Sequence, residues 1–176
     1  MRPRVKPYQQ GSLDSLCGVH AIINALQVLR PEMTRKDADK LFRVLLKEIA
    51  RKGAWKVLWR GMDGRLFRHL LMLAIGMAAA QHALTIRVAR PFAGQAIELL
   101  DVTGTLREAL NGRCVAATMI HTYTWHWTVI TKITEKSLLL FDSDGVKSIR
   151  IEHCSVRKAQ KRHCINAREL LLLRIE

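Results

Sequence analysis

The chain has 176 residues, enough for one domain with a substantial core, and 29 Lys and Arg against 15 Asp and Glu give it a net charge of +14. That balance attracts acidic proteins, nucleic acid or anionic membrane, and it leaves the fold open. Zinc-finger spacing, a ribonucleoprotein aromatic motif and a glycine-rich RNA clamp are all missing from the sequence, which argues against a dedicated nucleic-acid module.

The opening MRPRVKPYQQ is charged and has no apolar run behind it suited to export, so no signal peptide is expected. The longest apolar run, LLMLAIGMAAA at 70–80, is too short to span a bilayer. A cytoplasmic protein is the expectation, with delivery into another cell also open. Cys17, Cys114, Cys154 and Cys164 are widely spaced and unpatterned, which suits reduced thiols better than a disulfide framework.

In chain order, the first element is a helix from about Leu16 to Leu29, almost wholly apolar except for His20, Asn24 and Gln27. Cys17 heads that polar stripe, because 17, 20, 24 and 27 share one helical face. Asp14 and Ser15 are both suitable N-caps, which places Cys17 in the first turn, where unpaired N–H groups and the helix dipole favour a thiolate. Gly18 is read as making room for a substrate beside the sulfur, and Pro31 ends the helix at Arg30. The competing reading of Cys17 is a small apolar core residue.

Thr34 caps a second helix to about Lys52, with apolar positions 38, 41, 42, 45, 46 and 49 opposite basic positions 36, 40, 43, 47 and 51. A solvated basic face, or one that docks an acidic partner or a phosphate backbone, fits this pattern. Glycines 53, 61 and 64 punctuate a Trp-containing connection, and a third helix runs from about Arg65 to His82.

LTIRVA (84–89) then reads as a strand, and a small helix is expected near 105–111, ended by Asn111-Gly112. CVAATMI (114–120), HWTVITKI (126–133), SLLLFDS (137–143), KSIRI (147–151) and the final LLLLRI read as strands, those joined by TEK and DSDG as antiparallel hairpins. The whole is one α+β domain, with a helical lobe over 1–83 and a mainly β lobe over 84–176.

A nucleophilic thiol needs a base, and the base an orienting group. His126 opens a strand between two tryptophans, an expensive place for an imidazole without a purpose. The next strand delivers Asp142 to the same end of the hairpin, where it is expected as a cross-strand neighbour of the ring. His20 and His121 stand as alternative bases, and Asp144 as an alternative to Asp142. His153-Cys154 and His163-Cys164 contain metal-ligand types without a CxxC or HxxxH spacing, so no metal site or cofactor is expected from them.

The order of Gln, Cys-Gly at a helix start, a much later His at a strand start, and Asp sixteen residues beyond it resembles the papain-like cysteine peptidases. The nearest branch is the compact bacterial one that includes leader-removing peptidases of peptide exporters. QQGSLDSLCGVHAIINAL corresponds to the Cys block and GRCVAATMIHTYTWHWTVITKITEKSLLLFDSDG to the His and Asp block. The resemblance implies a papain-like fold with the nucleophile helix packed on an antiparallel sheet. Its implied roles are Cys17 as nucleophile, His126 as base and then acid, Asp142 as orienter, and Gln10 as side-chain donor of an oxyanion hole. Gln10 lies seven before the Cys and Gln9 eight, against the family's five or six, so the intervening loop is one residue longer.

The expected function is a hydrolase of peptide or isopeptide bonds acting through a thioester, on a substrate that is acidic or carries a small-residue tail. Trp125 and Trp127 are read as walls of a narrow cleft. The fold also hosts deamidases, acyltransferases and toxins. The alternative from another class is a non-catalytic basic module that binds nucleic acid or an acidic partner through the helix at 34–52.

Overall fold

A computed structural model of the chain describes residues 6–11, 15–93, 97–157 and 160–176. Helix α1, Cys17–Leu29, carries apolar residues on nearly every side and is accordingly buried almost all round, with Val19, Ile22 and Ala25 fully enclosed. The N-cap is Leu16, with no side-chain cap, rather than Ser15; Asp14 lies outside the described residues. Cys17 is therefore the first residue of the helix itself. The backbone N–H of Arg30 closes the last turn on Leu26 before Pro31 turns the chain away.

Helix α2, Arg35–Arg51, starts on a reciprocal cap in which Thr34 accepts from the Asp37 N–H and Asp37 accepts from the Thr34 N–H. Ala38, Leu41, Leu45 and Ile49 face inward, while Lys36, Lys40, Arg43 and Lys47 are exposed. A single turn, α3 (Val57–Arg60), leads to α4 (Gly64–His82), whose first turn is capped by the Asp63 carboxylate on the Leu66 N–H at 2.8 Å.

The remaining elements are β1 (Ile86–Ala89), α5 (Leu99–Ala109), β2 (Cys114–His121), β3 (Trp125–Ile133), β4 (Ser137–Phe141), β5 (Ser148–Arg150), β6 (Cys154–Ser155), β7 (His163–Ile165) and β8 (Leu171–Ile175). Helix α5 begins six residues before the expected 105, because Asp101 accepts from the Glu98 N–H at 2.8 Å and nucleates the helix there. Strands β6 and β7 pair in parallel inside a stretch that reads as a basic loop.

The sheet runs in the order β1-β8-β2-β3-β4-β5, antiparallel throughout that path, with β7 beside the far end of β2. A bulge between Ile130 and Lys132 shifts the β3–β4 register by one residue. The fold is thus α+β, with helices packed on an antiparallel sheet. Val115, Ala117, Trp127, Val129, Leu171 and Leu173 cover one face and meet α1, α2 and α4. Ala116, Ile120, Ile130 and Leu138 line the other, beneath Val102 and Leu106 of α5. Each fully buried Leu, Ile or Val contributes about 1.5–3 kcal/mol, so both faces are needed to hold the strands in register. No helix among the described residues is long and apolar enough to cross a membrane.

Candidate active site

The buried rod α1 ends with its positive pole against β3. There the backbone N–H of Trp127 donates to Cys17 Sγ at 3.5 Å. The helix N-terminus and a fixed N–H donor thus both face this sulfur. The neighbouring side chain on β3 is His126, whose ring is close enough to the Cys17 sulfur to feel its field and whose Nε2 hydrogen-bonds with Asp142 Oδ2 at 2.7 Å.

Asp142 is only 2% exposed and sits one residue beyond β4. The register pairs Val129 with Phe141, so continuing it sets Thr128 opposite Asp142 and leaves His126 as the diagonal neighbour. The two are cross-strand neighbours, as expected, on the diagonal. The diagonal suits the chemistry, because Asp142 Oδ2 meets the ring while Oδ1 accepts from the Asp144 N–H at 2.9 Å.

These contacts decide the charges. Burial opposes a charged ring, yet the hydrogen bonds and fields of Asp142 and Cys17 outweigh it and push His126 up to about 10. Burial likewise favours a neutral Asp142, but His126, Thr128 and the Asp144 N–H together hold the carboxyl below its usual range. At neutral pH the arrangement is an imidazolium between a carboxylate and a sulfur.

Asp144 does not replace Asp142; it joins it. Its Oδ2 lies 3.3 Å from His126 Nδ1, the nitrogen that Asp142 leaves over. The alternative bases are occupied elsewhere. His20 packs against Phe42 with ring centroids 5.7 Å apart, and His121 makes an edge contact with Trp125 at 5.2 Å.

Asn24, two turns into the buried rod and fully enclosed, accepts from the Tyr8 N–H at 2.8 Å and donates to the Tyr8 carbonyl at 3.1 Å. Two residues on, the Gln10 N–H donates to the Ser143 carbonyl at 3.2 Å. Residues 6–11 are thus a strap fastened to the nucleophile helix at one point and to the Asp142 turn at another. Gln10 rides on that strap beside the Asp142 turn, and among the described residues its buried Oε1 has no hydrogen-bond partner. The Gln9 side chain instead leans toward Gly145. Sequence reasoning saw Asn24 only as part of a polar stripe; its place one turn below His20 and two below Cys17 was the available signal.

Two further expectations change. Gly18 is buried, and a Cβ there would stand 3.0 Å from Met62 Sδ, so its missing side chain makes room for Met62 rather than for a substrate. Trp127 is not a cleft wall: it is buried, stacks on Phe67 at 3.6 Å and donates from Nε1 to the Met62 carbonyl at 2.8 Å. Trp125 remains partly exposed at the strand edge.

A cavity of about 580 Å3 opens against the ring, lined among others by His126, Asp142, Tyr123, Leu140, Arg150 and His163, and not by Cys17. His163 donates or accepts at Thr122 Oγ1 at 2.8 Å, and burial beside Arg162 and His153 holds it below the usual imidazole range. No trio of His, Cys, Asp or Glu among the described residues is close enough to hold a metal ion. All four cysteines are buried and none forms a disulfide. No family model matches the chain, and neither the curated proteins nor the solved structures give a match.

Proposed function

We propose that the chain is a cysteine-dependent hydrolase of papain-like design, acting on peptide or isopeptide bonds through a thioester. The observation that carries this reading is the His126 ring held between the buried Asp142 carboxylate and the Cys17 sulfur at a helix N-terminus.

In this mechanism the Cys17 thiolate attacks the substrate carbonyl carbon. A C–S bond forms and the carbonyl electron pair moves onto oxygen, which the Cys17 N–H and the Gln10 side-chain amide would hold. Collapse re-forms the carbonyl and breaks the C–N bond, while His126 gives its Nδ1 proton to the departing nitrogen. Neutral His126 then takes a proton from water, hydroxide adds to the thioester, and the thiolate leaves as the acid product is released. Asp142 holds Nε2–H throughout, so the same nitrogen always faces the sulfur.

Intact-mass analysis after treatment with a peptide vinyl sulfone tests the reading. One adduct is expected on the native chain, none on Cys17→Ala, and slow addition on His126→Ala. The other thiols are poor competitors, since burial pushes Cys154 up to about 11 and Cys114 above its ordinary value. Equal labelling of the native chain and Cys17→Ala, or no adduct on either, would refute it.

A further inference from the structure

Two of the four tryptophans stand well out into solvent, more so than Trp125 at the strand edge. Trp55 and Trp59 are 53% and 62% exposed, whereas Trp127 is enclosed. Backbone bonds from Val57 to Ala54, Leu58 to Trp55 and Arg60 to Lys56 run the turn at 54–56 straight into α3, so the two indoles stand about one turn apart. Lys52, Lys56 and Arg60 interleave with them and are exposed. Among the described residues, Glu48 answers Arg51 and Lys52, and no carboxylate lies within ion-pair distance of Lys56 or Arg60.

The inner side of the same segment is fixed to the candidate site. The Leu58 carbonyl accepts from the Ser15 N–H at 2.9 Å, two residues before Cys17, and Val57 is buried in the core beneath it. Beyond the turn, the Met62 carbonyl holds the Trp127 indole. The backbone under the two exposed indoles is therefore braced against the loop that enters the nucleophile helix and against the strand that carries His126. Exposed Trp and Arg side chains on a rigid support are the residue types that dominate binding energy at protein interfaces.

We propose that Trp55, Lys56, Trp59 and Arg60 form a docking wall for a polypeptide in which acidic residues alternate with apolar or aromatic ones, and that this polypeptide is what Cys17 acts on. The assignment of the bound chain as substrate rests on the hydrolase reading above. Its position favours a polypeptide over other anions: the backbone beneath the indoles bonds to Ser15, two residues before the nucleophile, so a chain lying on the wall runs beside the entry to that helix. The indoles cover apolar side chains of that segment, and the two unanswered cations pair with its carboxylates.

Binding is measured by fluorescence anisotropy on the Cys17→Ala chain, with a labelled random Glu/Tyr copolymer, a thirty-residue oligo-dT and vesicles of mixed phosphatidylglycerol and phosphatidylcholine. The copolymer is expected to bind in a salt-dependent manner, roughly tenfold more weakly in Trp55→Ser/Trp59→Ser and in Lys56→Glu/Arg60→Glu. On the native chain, bound copolymer is expected to slow alkylation of Cys17 by iodoacetamide, a readout that needs access and not catalysis. No copolymer binding, binding equal in both double variants, or tighter binding of oligo-dT or vesicles through these four side chains would overturn the proposal. A chain that binds copolymer through them yet takes no vinyl sulfone keeps the docking wall and loses the hydrolase reading; one that takes the adduct and ignores the copolymer does the reverse.

Discussion

Replacing Asp142 by asparagine removes one negative charge from behind His126 while keeping the volume and an oxygen that accepts from Nε2. The carboxylate is buried and 2.7 Å from the ring, so its field is little screened by water. An opposite charge at this range is worth about 1.5–4 kcal/mol to the charged form. The consequence for stability has a defined window. His126 titrates near 10 in the folded chain against 6.5 when free, so its contribution is whole below 6.5 and is lost as pH rises through 10. Asp142 is held below 3.8, so its contribution is whole above that value and is lost as pH falls through the depressed one. Urea unfolding of the native chain and Asp142→Asn should therefore differ by about 1.5–4 kcal/mol on a plateau from about pH 4 to 6.5, with the gap closing on both sides. Proton and carbon NMR of the ring should show its midpoint falling toward 6.5. A gap that stays constant from pH 4 to 11 would mean that Asp142 supports the fold by packing alone, and the charge arrangement assigned to the site would be wrong.

Asp144→Asn should lower the His126 midpoint less than Asp142→Asn does and change stability by less than about 1 kcal/mol, because Asp144 is partly exposed and its field screened; an NMR titration of both variants checks the order. Asn24→Leu leaves the Tyr8 N–H and carbonyl without partners, so it should cost about 2–3 kcal/mol and release the strap. Hydrogen exchange at Tyr8 and Gln10 should then rise before global unfolding. Gly64→Ala places a methyl in collision with the Glu169 carboxyl, which an ion pair with Arg68 holds in place. It should cost about 1–3 kcal/mol, with recovery of that loss in the Glu169→Ala background, by thermal melts of the four chains.

How far the sequence alone could go depended on the range of the interaction concerned. The α2 cap was legible because Thr34 and Asp37 are three apart and answer each other locally. Cys17, His126 and Asp142 could be singled out because each stands where its residue type is costly or suited to a helix end, and the structure brings the three together. The diagonal placement of Asp142 could not be read, since it depends on the register of two strands, which the hairpin loop alone does not determine. Trp127 shares its strand face with Val129, so alternation pointed to burial; reading it as a cleft wall gave too much weight to its neighbour His126. Gly18 was assigned to substrate access because its true neighbour, Met62, lies in a distant segment. Strands β6 and β7 are two and three residues long amid basic residues, too short for any periodicity to show.

The position of β8 bears on how the molecule assembles. Ile86 pairs with Ile175 and Cys114 with Arg174, so the strand that joins β1 to β2 comes from the far end of the sequence. Helical turns close within a few residues, whereas these pairings must first close long loops, and such topologies fold slowly. During refolding the Cys17 thiol is therefore presented on an early helix before a sheet exists to bring the imidazole to it. A reducing agent should matter most in that interval, and recovery of native chain should depend on it more steeply than stability does once folding is complete.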